Sequence, residues 1–165
     1  MDGDSLSASQ PRTEPSDIGQ PTILLVDDHP SIRMMLSSGL KTHGFHVLAV
    51  GTAEKALAYC EGFTGRIDLL LTDIGLTPQQ LWADQGSHDS ILHGVALAER
   101  AVRTRPSLQV VLITGYCDEQ LKRLSKRTER FLLLRKPCGV ATLVSAFQQL
   151  LEQNGHGNIP MFGKT

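Results

Sequence analysis

The sequence predicts an α/β fold, a doubly wound five-stranded parallel sheet. Three observations predict it. Short apolar runs without alternation recur along the chain, such as Thr22-Ile23-Leu24-Leu25-Val26 and Leu69-Leu70-Leu71. Such runs read as strands buried on both faces, the usual state of a parallel sheet. Segments with helical spacing lie between them, the alternation of βα units. The runs also end on polar groups, and open α/β sheets bind ligands outside the carboxyl ends of their strands.

Residues 1–20 are rich in Ser, Asp, Gln, Pro and Gly and nearly lack large apolar side chains, so a disordered tail is expected. The first strand, residues 22–26, ends in Asp27-Asp28. His29 and Pro30 follow, and Pro suits the first turn of a helix. Ile32, Met35, Leu36 and Leu40 share the face expected to turn inward, and Gly44 stops the helix. Residues 46–50 form the second strand. Thr52 caps a helix that buries Ala53, Ala56, Leu57 and Cys60 and ends near Gly62. The third strand, residues 67–73, ends in Asp73.

Residues 74–90 form a long connection that holds Pro78, Gly86 and the only tryptophan, Trp82. Loops longer than about a dozen residues are often functional. His88 and His93 lie here without a Cys or Glu to complete a zinc set, so solvated histidines are expected. A third helix carries Val95, Leu97, Ala98, Ala101 and Val102 before Pro106. Residues 108–113 form the fourth strand, followed by Thr114-Gly115-Tyr116. The helix from Asp118 to about Arg127 carries Lys122, Arg123, Lys126 and Arg127, read as a solvated face. Residues 131–135 form the fifth strand, ending in Lys136-Pro137. Val140, Leu143, Val144, Phe147, Leu150 and Leu151 mark the last helix. The expected organisation is a tail over 1–20, one domain over 21–153 and a flexible Gly-rich tail over 154–165.

Of 165 residues, 41% are hydrophobic and 20% charged, a balance that supports a packed core. A net charge of −1 argues against nucleic acid or an anionic membrane as the main partner. Cys60, Cys117 and Cys138 are an odd set without motif spacing, which favours a reducing, cytoplasmic setting. The acidic N-terminus has no apolar stretch behind it, so no signal peptide is expected. No apolar run has the length to span a bilayer.

Four strand ends thus carry Asp27-Asp28, Asp73, Thr114 and Lys136, all at one edge if the sheet is parallel. Adjacent carboxylates at a buried strand end are costly unless a cation neutralises them, whereas helix capping would need only one. Three carboxylates, a hydroxyl and an ammonium suit phosphoryl transfer. One carboxylate is the nucleophile, Mg²⁺ bridges carboxylate and phosphoryl oxygens, and Lys and Thr bind the remaining oxygens.

In this order the five residues closely resemble the receiver domain of bacterial two-component response regulators, over residues 22–152. The resemblance implies a flavodoxin-like (βα)5 fold. It also implies phosphoryl transfer to Asp73 from the phosphohistidine of a histidine kinase or phosphotransfer protein. In that family the counterpart of Asp28 binds Mg²⁺ directly and that of Asp27 acts through water. The backbone carbonyl at Gly75 is a further ligand, and the Lys136-Pro137 bond is expected cis. The signal is expected to leave through the face of helix four, strand five and helix five. There it meets a partner protein, because no output domain follows residue 152.

Three departures stand out: a longer connection after Asp73, Leu133 where the family carries an aromatic, and Cys138 where Phe is common. Two other readings compete. A haloacid-dehalogenase-type phosphatase would need a second acid at Gly75 and a nucleophile after its first strand. A receiver-like binding module would work without phosphorylation.

Overall fold

The computed structural model describes residues 19–76 and 93–153. Within these residues the elements alternate without exception. They are β1 (Thr22–Val26), α1 (Pro30–Thr42), β2 (His46–Val50), α2 (Ala53–Gly62) and β3 (Leu69–Asp73), then α3 (His93–Thr104), β4 (Gln109–Thr114), α4 (Asp118–Thr128), β5 (Leu132–Arg135) and α5 (Val140–Gln153). The strands form one sheet in the order β2-β1-β3-β4-β5, every pair parallel. The chain moves from β1 outward to β2, then crosses to β3 and continues the other way. The order therefore reverses between β1 and β3, the place where such sheets open a ligand crevice.

Side chains of a strand alternate between its faces, so each central strand feeds two cores. Leu24, Val26, Leu70, Val110 and Leu112 pack with Ala56 and Leu57 of α2, Leu97 and Ala98 of α3, and Leu124 of α4. Ile23, Leu25, Leu69, Leu71, Val111 and Ile113 pack with Leu36 and Leu40 of α1 and Leu143 and Phe147 of α5. Phe45 closes this second core edge-on to Phe147, with ring centroids 5.8 Å apart. Burial on both faces is why these strands show no apolar–polar alternation. β5, at the sheet edge, is only partly buried.

The amino edge of the sheet is closed by Asp68. Its Oδ2 accepts the Thr22 N–H at 2.8 Å, and its Oδ1 pairs with Arg66 Nε at 2.7 Å. Arg105 ties down the loop before β3, donating to the carbonyls of Cys60 at 2.8 Å and Gly65 at 3.0 Å, and to that of Phe63.

Several boundaries and burials differ from the sequence expectation. β3 begins at Leu69 rather than residue 67, because Asp68 turns its side chain to the start of β1. β4 begins at Gln109 rather than Leu108 and takes in Thr114; β5 begins at Leu132 rather than Phe131. Met35 is 58% exposed, not inward. The buried line of α1 follows Leu36 and Leu40, and its neighbour Met35 is turned about 100° from Leu36. Arg127 is not a solvated cation: its guanidinium grips Glu99 of α3 through Nε at 3.0 Å and Nη2 at 2.7 Å. The expectations for residues 1–18, 77–92 and 154–165, Trp82 and His88 included, lie outside the described residues.

One glycine sets how closely α3 approaches β3. A Cβ at Gly94 would fall 1.9 Å from the Asp73 carbonyl oxygen and 2.8 Å from the Ile74 Cα. The Gly94 N–H donates to the Ile74 carbonyl at 3.1 Å, so the contact is backbone on backbone. Overpacking of this kind costs about 1–3 kcal/mol. Gly94→Ala should therefore lower stability by about that much in urea unfolding. Gly62→Ala, where a Cβ meets nothing within 4 Å, should leave it unchanged or slightly raised.

Candidate functional site

Strand register builds the site. Val26 lies opposite Thr72, so Asp27 and Asp73 leave the sheet at the same level. Asp73 lies opposite Ile113, and Thr114 opposite Arg135, so Thr114 and Lys136 each follow one residue later. The carboxyl ends of β1, β3, β4 and β5 thus converge on one edge, beside the reversal in strand order.

Asp73 is half-buried, and both its oxygens are engaged. Oδ2 forms an ion pair with Lys136 Nζ, and Oδ1 accepts the Gly75 N–H at 2.9 Å. The Lys136-Pro137 bond is cis, as expected. Thr114 is 1% exposed, and its Oγ1 accepts the Tyr116 N–H at 3.0 Å. That bond uses a lone pair and leaves the hydroxyl proton to donate. A Cβ at Gly75 would lie 3.1 Å from the Tyr116 hydroxyl oxygen and 3.7 Å from Asp73 Oδ1. The phenol therefore hangs over Gly75 at the margin of Asp73. Burial pushes the Tyr116 pKa up; the Asp73 charge adds to the rise and Lys136 opposes it.

The acidic pair forms a second cluster. Asp27 is 3% exposed, and its Oδ1 accepts the His29 N–H at 2.8 Å. His29 Nδ1 lies 2.9 Å from Asp28 Oδ1 and 3.6 Å from Asp27 Oδ1. One ligand atom from each of these three residues falls within 4.8 Å of the other two. Two carboxylate oxygens and an imidazole nitrogen so disposed fit a divalent cation. Asp73 is not a member of that group; its oxygens face Lys136 and Gly75 instead. Among the described residues this is the only such cluster, and His93, which opens α3, stands outside it. Burial holds His93 below its ordinary pKa.

Two residues here went unread in the sequence. His29 had a signal, its place directly after the acidic pair, but was read only as the lead-in to Pro30. Arg33 had none. Its Nη1 donates to the Asp27 carbonyl at 2.6 Å and would lie 3.0 Å from a Cβ at Gly51, so it braces the loop that carries the pair.

Comparison with known proteins identifies the family. Residues 23–148 match the family described as the response regulator receiver domain. The response regulator receiver protein CpdR of Brucella abortus is 30% identical over 129 residues, covering 78% of this chain and 95% of that protein. The transcriptional regulatory protein AruR of Pseudomonas aeruginosa is 31% identical over 141 residues, covering 82% of this chain. The sensor kinase CckA of Brucella abortus is 24% identical over 135 residues. The chain spans 51% of the length of AruR and 13% of that of CckA. A response regulator receiver protein from Sinorhizobium medicae superposes with a TM-score of 0.66 at 28% identity, covering 84% of this chain and 99% of that one. A CheY-like receiver domain protein from Methanospirillum hungatei gives 0.67 at 24% identity over the same shares and shares the fold. This chain belongs to the response regulator receiver domain family of two-component systems.

Proposed function

We propose that Asp73 accepts a phosphoryl group from the phosphohistidine of a histidine kinase or phosphotransfer protein. The observation that carries the reading is the Asp73–Lys136 ion pair, set level with Asp27 at the reversal in strand order. In the transfer a carboxylate oxygen of Asp73 attacks phosphorus, the P–N bond breaks, and its electron pair returns to the imidazole of the donor. Lys136, already on Asp73, is placed to follow negative charge onto a phosphoryl oxygen, and Thr114 has a proton to donate to another. Asp27, Asp28, Asp73 and the Gly75 carbonyl would hold Mg²⁺. Bound there, Mg²⁺ supplies charge neutralisation between the carboxylates and the incoming phosphoryl oxygens. The protein is then a phosphoacceptor, active only in phosphorylating and dephosphorylating itself, and not a turnover enzyme.

The output lies in protein contacts on the face of α4, β5 and α5, whether the chain acts as a diffusible effector or as a relay carrier. Lys122, Arg123 and Lys126 are exposed on α4 and suit an acidic partner surface. Leu133 sits against the core on the α4 side of the sheet, so a movement of Thr114 would not draw an aromatic ring after it. The match to 95% of the length of CpdR supports a receiver domain over 21–153, and the free cysteines are in keeping with a cytoplasmic setting. No helix among the described residues is long and apolar enough to cross a membrane.

Acetyl phosphate labelling tests the assignment. The wild-type chain should take up base-labile label in the presence of Mg²⁺ or Mn²⁺. Asp73→Asn, Asp28→Ala and excess chelator should each abolish it. Full labelling of Asp73→Asn, or undiminished labelling in chelator, contradicts the reading.

Slow loss of the phosphoryl group is a further expectation. Hydrolysis needs a water held in line with phosphorus, opposite the acceptor oxygen. Gly75 has no side chain to hold one, and the Tyr116 phenol occupies the space beside it. Gly75→Asn combined with Tyr116→Glu should shorten the lifetime. One added hydrogen bond of about 1 kcal/mol corresponds to about a fivefold faster decay. A wild-type phosphoprotein that decays within seconds, or a double variant that lasts longer, would be the opposite result.

A further inference from the structure

We propose that His29 is itself a ligand of the divalent cation held by Asp27 and Asp28, and that its nitrogen shifts the site from Mg²⁺ towards Mn²⁺ and related transition cations. The proposal rests on the cation reading above and adds a donor that the reading does not include.

The geometry comes first. Two ligands on adjacent corners of an octahedron, each about 2.1 Å from the metal, lie about 3.0 Å apart. His29 Nδ1 lies 2.9 Å from Asp28 Oδ1 and 3.6 Å from Asp27 Oδ1. The first separation matches such an edge, and the second is about 0.6 Å longer, a gap that a small turn of the exposed ring closes. The side chain is 66% exposed, yet its Nδ1 edge is folded back onto the two carboxylates. The backbone holds it there. The His29 N–H is bound to Asp27 Oδ1 at 2.8 Å, Pro30 opens α1 directly after it, and Arg33 braces the Asp27 carbonyl from behind. The 2.9 Å separation from Asp28 Oδ1 is an ion-pair distance, and it sets the imidazole nitrogen beside the carboxylates that a cation would share.

The chemistry gives the selectivity. Mg²⁺ takes oxygen ligands and gives up water reluctantly, so an imidazole adds little to its binding. Mn²⁺ and the later first-row cations accept imidazole nitrogen readily. A site of carboxylate and carbonyl oxygens alone would discriminate weakly between them, and the nitrogen donor is the element that separates them.

Mn²⁺ bound to the full-length chain provides the test, read by electron paramagnetic resonance. Pulsed spectra should show coupling to an imidazole ¹⁴N in the wild type and none in His29→Gln. In competition with Mg²⁺, the preference for Mn²⁺ should fall at least on the order of tenfold in His29→Gln, since even indirect partners of a metal are worth that much. Both readouts report binding, not phosphorylation. If Mn²⁺ binds and is lost in Asp28→Ala, but ¹⁴N coupling is absent and the preference is unchanged in His29→Gln, the His29 proposal is overturned and the acidic-pair reading stands. If neither cation binds the wild type at millimolar concentration, both fall.

Discussion

The ion pair between Lys136 and Asp73 is the contact on which the functional edge depends. A carboxylate at the end of a strand buried on both sides loses much of its hydration, and its charge then needs a partner. Lys136 is supplied by the last strand of the sheet and Asp73 by the central one, so the pair forms only when β3, β4 and β5 are in register. The same requirement recurs at Asp27 and Asp28, which the His29 ring approaches. The sheet edge therefore gathers negative charge that the protein alone balances only locally. That leaves it ready for a cation and for a group whose oxygens Lys136 and Thr114 can take over.

The rest of the fold holds this edge still. Two apolar cores, one on each face, fix the strands, and Asp68 and Arg105 close the opposite end. α3 comes so near to β3 that only a glycine fits at position 94, which ties the start of that helix to the backbone of Asp73 itself. The backbones of Asp73, Ile74 and Gly94 thus meet with no side chain between them. Through the Glu99–Arg127 bridge α3 is in turn fastened to α4. This gives a contiguous path from the candidate acceptor to the helix whose Lys122, Arg123 and Lys126 face solvent.

Much of this was legible in the residues. Unalternating runs such as Leu69-Leu70-Leu71 announce strands buried on both sides, and the polar residue ending each run identifies the edge. The α2 face of Ala53, Ala56, Leu57 and Cys60 was read correctly because its spacing and its Thr52 cap agree. Met35 was misplaced because helical spacing admits a wider stripe than α1 buries. Arg127 was misread as solvated because its partner Glu99 lies on another helix, and periodicity within one element cannot show a contact between two. Gly94 and Arg33 were invisible for the same reason: a close approach of backbones and a long side chain reaching a carbonyl depend on tertiary placement. That the Tyr116 phenol fills the space beside Gly75 came only from the fold.

The central claim is that the carboxylate held by Lys136, and no other acid of this edge, receives the phosphoryl group. Borohydride reduction of the phosphorylated chain converts an acyl phosphate to the corresponding alcohol, which peptide mass mapping locates. The account predicts that the reduced residue is Asp73 alone. Reduction at Asp27, Asp28 or Asp68 in place of Asp73, or a phosphorylated chain with no reducible aspartate, would contradict it.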